Sequence, residues 1–387
     1  MKKFALAVLV LLLGIGGVLT LAAPHPPAPP QVFADLAAVE NYFDALTASS
    51  DPPGLSLAVV RNGRIVLARS YGTADATTGA PVTDQTVFHW WSMTKIATAA
   101  AILRLVEEGQ VGLDDPVADI LDFFVVDQPA GSGPITIGQL LDHSSGLPDI
   151  MPDMLGWVHY DAAPRDQTAL LRANLPKFSR LQFAPGASHA YTNLGYLVLG
   201  AVIEAVTGER YEDHVARTVL APLGMVDTGF AYAPDVGERA AAGSHPLVHI
   251  FTPLLPVFLD MGALVKARIG TRLWFNPVYI DATPPTGLIG TAQDAARLLW
   301  ALSDHGGWLA APSIAAMRPG PGRVPLGWAE FSDGGQPWVQ HRGGGPGFAA
   351  IMRLYPDQGL GIVLLANGTN LSGEDLVARL AAMDWPA

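Results

Sequence analysis

The two clearest strand signals stand at opposite ends of the chain, and that placement limits the fold more than any other feature. L-S-L-A-V-V-R-N-G-R-I-V-L-A-R-S-Y-G (residues 55–72) reads as two β-branched runs joined at Asn62-Gly63, which suits a type I′ turn. F-A-A-I-M-R-L-Y-P-D-Q-G-L-G-I-V-L-L-A-N (348–367) reads as a second hairpin. Between them, from Asp114 to about Leu223, helical patches alternate with Gly/Pro turns. Helices are predicted at Leu36–Thr47, Ser92–Glu108 (stopped by Gly109), Gly195–Thr207, 291–302 and Gly373–Met383. The economical arrangement is an α/β (α+β) fold. One antiparallel sheet is formed by the N- and C-terminal segments and flanked by helices, with a mostly helical subdomain inserted at roughly 111–285.

The chain can fill such a core. It has 387 residues, of which 50% are hydrophobic and 15% charged, which excludes global disorder. Its net charge is −12, which argues against a nucleic-acid partner. With no cysteine, disulfides, thiol chemistry and Cys-based zinc sites are excluded. Residues 1–23 read as a signal peptide or an N-terminal membrane anchor: Lys2 and Lys3 precede an apolar run from Phe4 to Ala23. Residues 24–33 form a Pro-rich linker, and 34–387 the globular domain. The expected location is outside the cytoplasm, periplasmic or extracellular.

Ser92 and Lys95, in W-W-S-M-T-K, fall three residues apart at the start of a predicted helix, so they project from one face about one turn apart. A serine hydroxyl needs a base within reach, and a lysine serves only when burial lowers its pKa. Phe88, Trp90 and Trp91 are the expected walls of such a pocket. A surface lysine behind a capping serine is the competing reading. Y-x-N occurs once among nine tyrosines, at Tyr191-Thr192-Asn193, where Tyr can exchange a proton and Asn can hold an amide or cap the next helix. H-x-G occurs at His305, where Gly is a helix stop, and at His341-Arg342-Gly343-Gly344, where small residues let backbone approach a ligand.

In this order, S-x-x-K, Y-x-N and H-x-G resemble the serine β-lactamase and penicillin-binding-protein superfamily. The closest likeness is to its class C-related branch of DD-peptidases, D-aminopeptidases and family VIII esterases. L-L-D-H-S-S-G-L-P-D (140–149), P-L-G-M-V-D-T (222–228) and G-L-I-G-T-A-Q-D (287–294) carry the same likeness, which spans roughly Leu36 to Met383. The resemblance implies a β-lactamase/transpeptidase-like fold and an acyl-enzyme mechanism without metal or cofactor. Ser92 would be the nucleophile, Lys95 its proton acceptor and Tyr191 the proton shuttle. Asn193 would orient the acyl side chain, His341 would take the place of a common lysine, and Ser92 and Gly344 would form the oxyanion hole beside Gly343. His341 and Arg342 depart from the β-lactamase pattern, and Trp91 is bulky enough to narrow the pocket floor. Esters and D-amino-acid amides are therefore expected before β-lactams. A slowly acylating sensor with the same fold is the alternative. An α/β-hydrolase is disfavoured because the G-x-S-x-G elbow is missing.

Residues 245–281 are long and apolar for a loop region, and their prolines oppose a membrane-spanning helix. Three readings stay open: subdomain core, a lid over an acyl pocket, or membrane contact within 246–272 with Lys266, Arg268 and Arg272 on lipid headgroups. His143, His189 and His214 lack metal-ligand spacing and read as structural.

Overall fold

The structure is a computed structural model that describes residues 26–386 apart from 164, 233, 319–323 and 333–334. The predicted targeting segment, residues 1–23, lies outside the described residues. A helix α1 (Leu36–Ala48) leads into strands β1 (Gly54–Arg61), β2 (Arg64–Asp75) and β3 (Ala80–Pro81). Then come helices α2 (Thr94–Glu107), α3 (Asn193–Thr207) and α4 (Ala292–Ala301). Strands β4 (Glu330–Ser332), β5 (Trp338–Gly345), β6 (Phe348–Tyr355) and β7 (Leu360–Ala366) follow, and α5 (Gly373–Ala381) closes the fold.

The strand order β4-β5-β6-β7-β1-β2-β3 makes one seven-stranded sheet. The two ends of the chain meet at its centre, where β1 and β7 run antiparallel from Leu55↔Ala366 to Arg61↔Leu360. The β1–β2 turn has Asn62 at φ 47° and Gly63 at φ 81°, the pair of left-handed residues that a type I′ turn requires. Leu55, Leu57 and Val59 pack with Phe43 of α1 and Leu376 of α5, while Ala58 and Val60 belong to the core on the other side with Ile96 and Leu298. Both faces of β1 are therefore covered, which is why its sequence shows little polar alternation. Each such aliphatic side chain contributes roughly 1.5–3 kcal/mol on leaving water.

Met93, Ile96, Ala100, Leu103 and Val106 recur at 3-4 spacing, which predicts one apolar face, and α2 differs from that amphipathic helix. Every residue from Thr94 to Leu103 is buried, Ala97, Thr98, Ala99 and Ala101 included. The small residues let neighbours close in on all sides, so none of these ten residues faces solvent, and only the last turn, with Arg104 and Glu107, reaches it. α3 starts at Asn193, two residues before its predicted start, because Thr192 caps it by accepting the Leu194 N–H.

Residues 244–275 carry a three-stranded sheet of Ser244–Pro246, Arg272–Phe275 and Val265–Ile269, in that order. Arg272 corrects the expectation of lipid contact. It is buried, and its guanidinium donates to Asp51 (3.1 Å), the Ser50 carbonyl (2.9 Å) and Ser244 Oγ (2.9 Å). A buried arginine requires such partners. Lys266 pairs with Asp75 at 2.6 Å, so its charge is satisfied within the protein. Among the described residues no helix is long and apolar enough to cross a membrane.

Candidate active site

The chain enters the site through a tight turn. Trp91 stands at φ 48°, in the left-handed region, where a bulky residue pays about 1–2 kcal/mol. The 3-10 turn Trp91–Met93 follows and runs straight into α2. Ser92 is thus delivered at the amino end of a buried helix, where the dipole favours developing negative charge. Packing holds the strained residue. The Trp91 ring stacks on His89 with centroids 4.8 Å apart, and its indole lies under Gly345, where a Cβ would come within 2.4 Å. Trp91 is buried against protein and is not part of the cleft wall, so it does not narrow the pocket floor.

Lys95 is fully buried. Its Nζ lies 2.7 Å from Asn193 Oδ1, 3.1 Å from the Pro285 carbonyl and 3.4 Å from Ser92 Oγ. Burial pushes its pKa well below the usual lysine value, outweighing the Asp149 carboxylate, which pulls the other way. A neutral amine has two hydrogens and one lone pair. Asn193 Oδ1 and the Pro285 carbonyl can only accept, so they take the two hydrogens. The lone pair is left for the Ser92 hydroxyl. The rings over Nζ are those of Tyr191 (4.8 Å to the centroid) and Tyr196 (5.5 Å), in place of the predicted tryptophans.

Asn193 is 0% exposed and does not line the cleft. Its Nδ2 and its backbone N–H both donate to Asp149 Oδ1 at 3.0 Å. Asp149 therefore fixes Asn193, and Asn193 fixes Lys95. Tyr191 opens one side to the cleft, but its hydroxyl is buried and hydrogen-bonded to Ser92. Burial raises its pKa, so the phenol keeps its proton at neutral pH. With the lysine pushed down and the tyrosine pushed up, the free site holds a base and an acid side by side.

Two histidines complete the site. His341, on β5, is 1% exposed and donates from Nδ1 to the Arg342 carbonyl at 2.8 Å, which leaves Nε2 as an acceptor. Burial lowers its pKa to about 3. His143, expected to be structural, packs its ring 4.7 Å from that of Tyr191, and its Nδ1 accepts the Thr192 N–H at 3.2 Å. It thereby fixes the Tyr191–Asn193 turn. Neither the contact of Asp149 with Asn193 nor that of His143 with Thr192 was legible from spacing.

Ser92, Tyr191, His341, Arg342, Gly343 and Gly344 line one cleft of about 920 Å³. At its mouth, Arg342 pairs with Glu330 (2.7 Å) and with Glu374 (2.6 Å). No residue of 245–281 lines this cleft, which removes the lid reading for the described structure.

These protonation states give a testable pH dependence. The proton acceptor must be neutral, so kcat/KM is expected to fall as pH drops through the depressed pKa of Lys95. His341 is uncharged above about pH 3, so removing it leaves the local charge unchanged. His341→Gln is therefore expected to keep the acid limb of the profile in place. A limb that vanishes or moves in this variant would assign it to the imidazole.

A family model described as Beta-lactamase matches residues 39–384. Esterase EstB of Burkholderia gladioli is 32% identical over 354 residues, covering 88% of this chain and 85% of the esterase. Penicillin-binding protein 4 of Amycolatopsis lactamdurans is 27% identical over 366 residues, 90% of this chain and 91% of that one. Among solved structures, a D-amino acid amidase from Ochrobactrum anthropi SV3 shares the fold at a TM-score of 0.73 and 24% identity, covering 90% of this chain and 98% of that one. With its cleft serine in reach of a buried lysine and a family match over residues 39–384, the chain belongs to the beta-lactamase family and is a serine hydrolase.

Proposed function

We propose that the enzyme hydrolyses esters or amino-acid amides that carry no carboxylate beside the scissile bond. The carrying observation is the placement of Lys95, whose two hydrogens are spent on acceptors and whose lone pair faces Ser92. Ser92 Oγ attacks the acyl carbon as its proton passes to Lys95 Nζ. The oxyanion forms near the backbone N–H groups of Ser92 and Gly344. Tyr191 protonates the leaving alcohol or amine and recovers its proton through Lys95. Water then attacks the acyl-enzyme, giving up a proton to the same pair, and the carboxylic acid leaves with Ser92 restored. Asn193 acts by holding Lys95.

The electrostatics of the cleft support the substrate class. Arg342 is matched by two glutamates, His341 is neutral, and Asp375 adds a further acid to the lining. A substrate carboxylate finds little attraction there, whereas a neutral ester or a free amine is accepted. β-Lactams and peptides ending in a free carboxylate are placed second on this ground.

The test is intact-mass measurement after exposure to a short-chain p-nitrophenyl ester, a D-amino-acid amide and a penicillin. An acyl adduct and steady turnover with the ester or the amide, and slow acylation by the penicillin, are expected. An adduct with no turnover on any of the three would make the protein a sensor instead. The proposed setting is outside the cytoplasm, periplasmic or extracellular, with membrane contact through residues 4–23 and the exposed apolar side chains within 246–272, the buried Arg272 excluded.

A further inference from the structure

Large apolar side chains are exposed in one concentrated place. Ile250, Phe251, Leu254, Val257 and Phe258 are 76, 56, 47, 70 and 39% exposed, all within nine residues. Leu254, Val257 and Phe258 stand on two short helical turns, Thr252–Leu254 and Leu255–Phe258, and Ile250 and Phe251 lead into the first. Scattered apolar exposure is ordinary on a soluble surface, but five such residues in one crest mark a contact surface.

Side-chain links tie this crest to its surroundings. Thr252 Oγ1 lies 3.0 Å from His245 Nε2, and His245 Nδ1 lies 2.8 Å from Thr369 Oγ1. Thr369 is in the wall of the active-site cleft. The crest is therefore fastened to the mouth of the cleft by a hydrogen-bonded chain of three side chains. On another side, His249 is close enough to Asp51 to act on its carboxylate. Asp51 lines a groove with Pro26, Pro27 and Pro29, where the described chain begins. The uncharged apolar run Phe4–Ala23 precedes that point in sequence. Leu371 and Ser372 line both this groove and the cleft. Crest, chain entry and cleft mouth thus gather around one segment, residues 369–375, the loop before α5 and its first turn.

Charge narrows the partner. Of the three nearby cations, Lys266 is paired to Asp75 and Arg272 is buried against Asp51, which leaves one exposed arginine, Arg268, against a whole-chain charge of −12. An anionic surface would be repelled, while an uncharged apolar one would not.

We propose that the crest Ile250–Phe258 seats the catalytic domain on a bilayer of zwitterionic lipid, so that the cleft opens at the membrane surface. This rests on the membrane-side location proposed above and not on the hydrolase reading, because its readout does not involve turnover. It gives the cleft a supply of amphiphilic acyl donors held at the interface.

The chain has no cysteine, so a single introduced one can be labelled alone. The full-length Val257→Cys protein, labelled with an environment-sensitive fluorophore, is mixed with phosphatidylcholine vesicles. Val125→Cys, at an exposed position of 72% outside the crest, is the control. Emission from position 257 is expected to shift to the blue, and a shallow nitroxide lipid is expected to quench it more than a deep one, as for side chains buried about 5–10 Å into the interface. The shift should persist in high salt and should not grow with added phosphatidylserine. Equal emission at the two positions would overturn the proposal. So would a shift that follows protein concentration without vesicles, which would make a second copy of the chain the occupant.

Discussion

Ser92→Ala is expected to lose turnover of p-nitrophenyl esters by about 10⁴–10⁶-fold, or roughly 5.5–8 kcal/mol of transition-state stabilisation, while melting with the wild type. The size follows from what the hydroxyl does alone. It is the group on the cleft wall that faces the Lys95 lone pair, and Nζ stands 3.4 Å from it. Water cannot simply take its place, because the attacking oxygen must be held at the amino end of α2 to gain from the dipole and the oxyanion donors. Stability has little to lose. Lys95 keeps Asn193 and the Pro285 carbonyl, and the Tyr191 hydroxyl gives up one hydrogen bond at the edge of the cleft that its ring lines. Lys95→Met should cost a similar factor. The double variant should be little worse than either single one, because nucleophile and base act as a unit. Stopped-flow release of p-nitrophenol with each variant measures this. A Ser92→Ala protein that keeps a tenth of wild-type activity would place the nucleophile elsewhere.

The parts of the fold legible in sequence are those set by near neighbours. Asn62-Gly63 specified its turn, and the apolar runs around it specified two strands. The order S-x-x-K, Y-x-N, H-x-G carried the family. What escaped were contacts between residues far apart in the chain. Asp149 meets Asn193 across 44 positions, and His143 meets Thr192 across 49. One of the two acceptors that orient the Lys95 amine is a backbone carbonyl, Pro285, 190 positions away, and a carbonyl leaves no trace in residue type. Lys266 and Arg272 looked free to meet lipid because their acids, Asp75 and Asp51, are 191 and 221 positions distant. α2 misled for another reason: its alanines satisfy a surface helix and a buried one equally, and only the layers packed around it decide.

The run Gly343-Gly344-Gly345 separates packing from chemistry, and its first member carries the second large prediction. A Cβ on Gly343 would stand 1.9 Å from the Trp90 carbonyl oxygen. That oxygen also accepts the Met93 N–H at 3.2 Å, closing the turn that presents Ser92. Neither side can yield cheaply. Moving β5 away breaks its register with β6 at Gly343↔Ala350, and moving Trp90 unwinds the turn. Gly343→Ala is therefore expected to cost at least about 3 kcal/mol. For a chain of this length that lowers Tm by about 4 °C. Ester turnover should fall together with stability, since either movement separates Ser92 from Gly344. Gly344 supplies the control. Nothing lies within 4 Å of the Cβ it would carry, so the space beside it belongs to the substrate. Gly344→Ala should keep the wild-type Tm and raise KM, with the added methyl standing in the cleft. Thermal melts and ester kinetics on the pair decide the matter. If Gly343→Ala melts with the wild type, the close approach of β5 to Trp90 is not what positions the nucleophile.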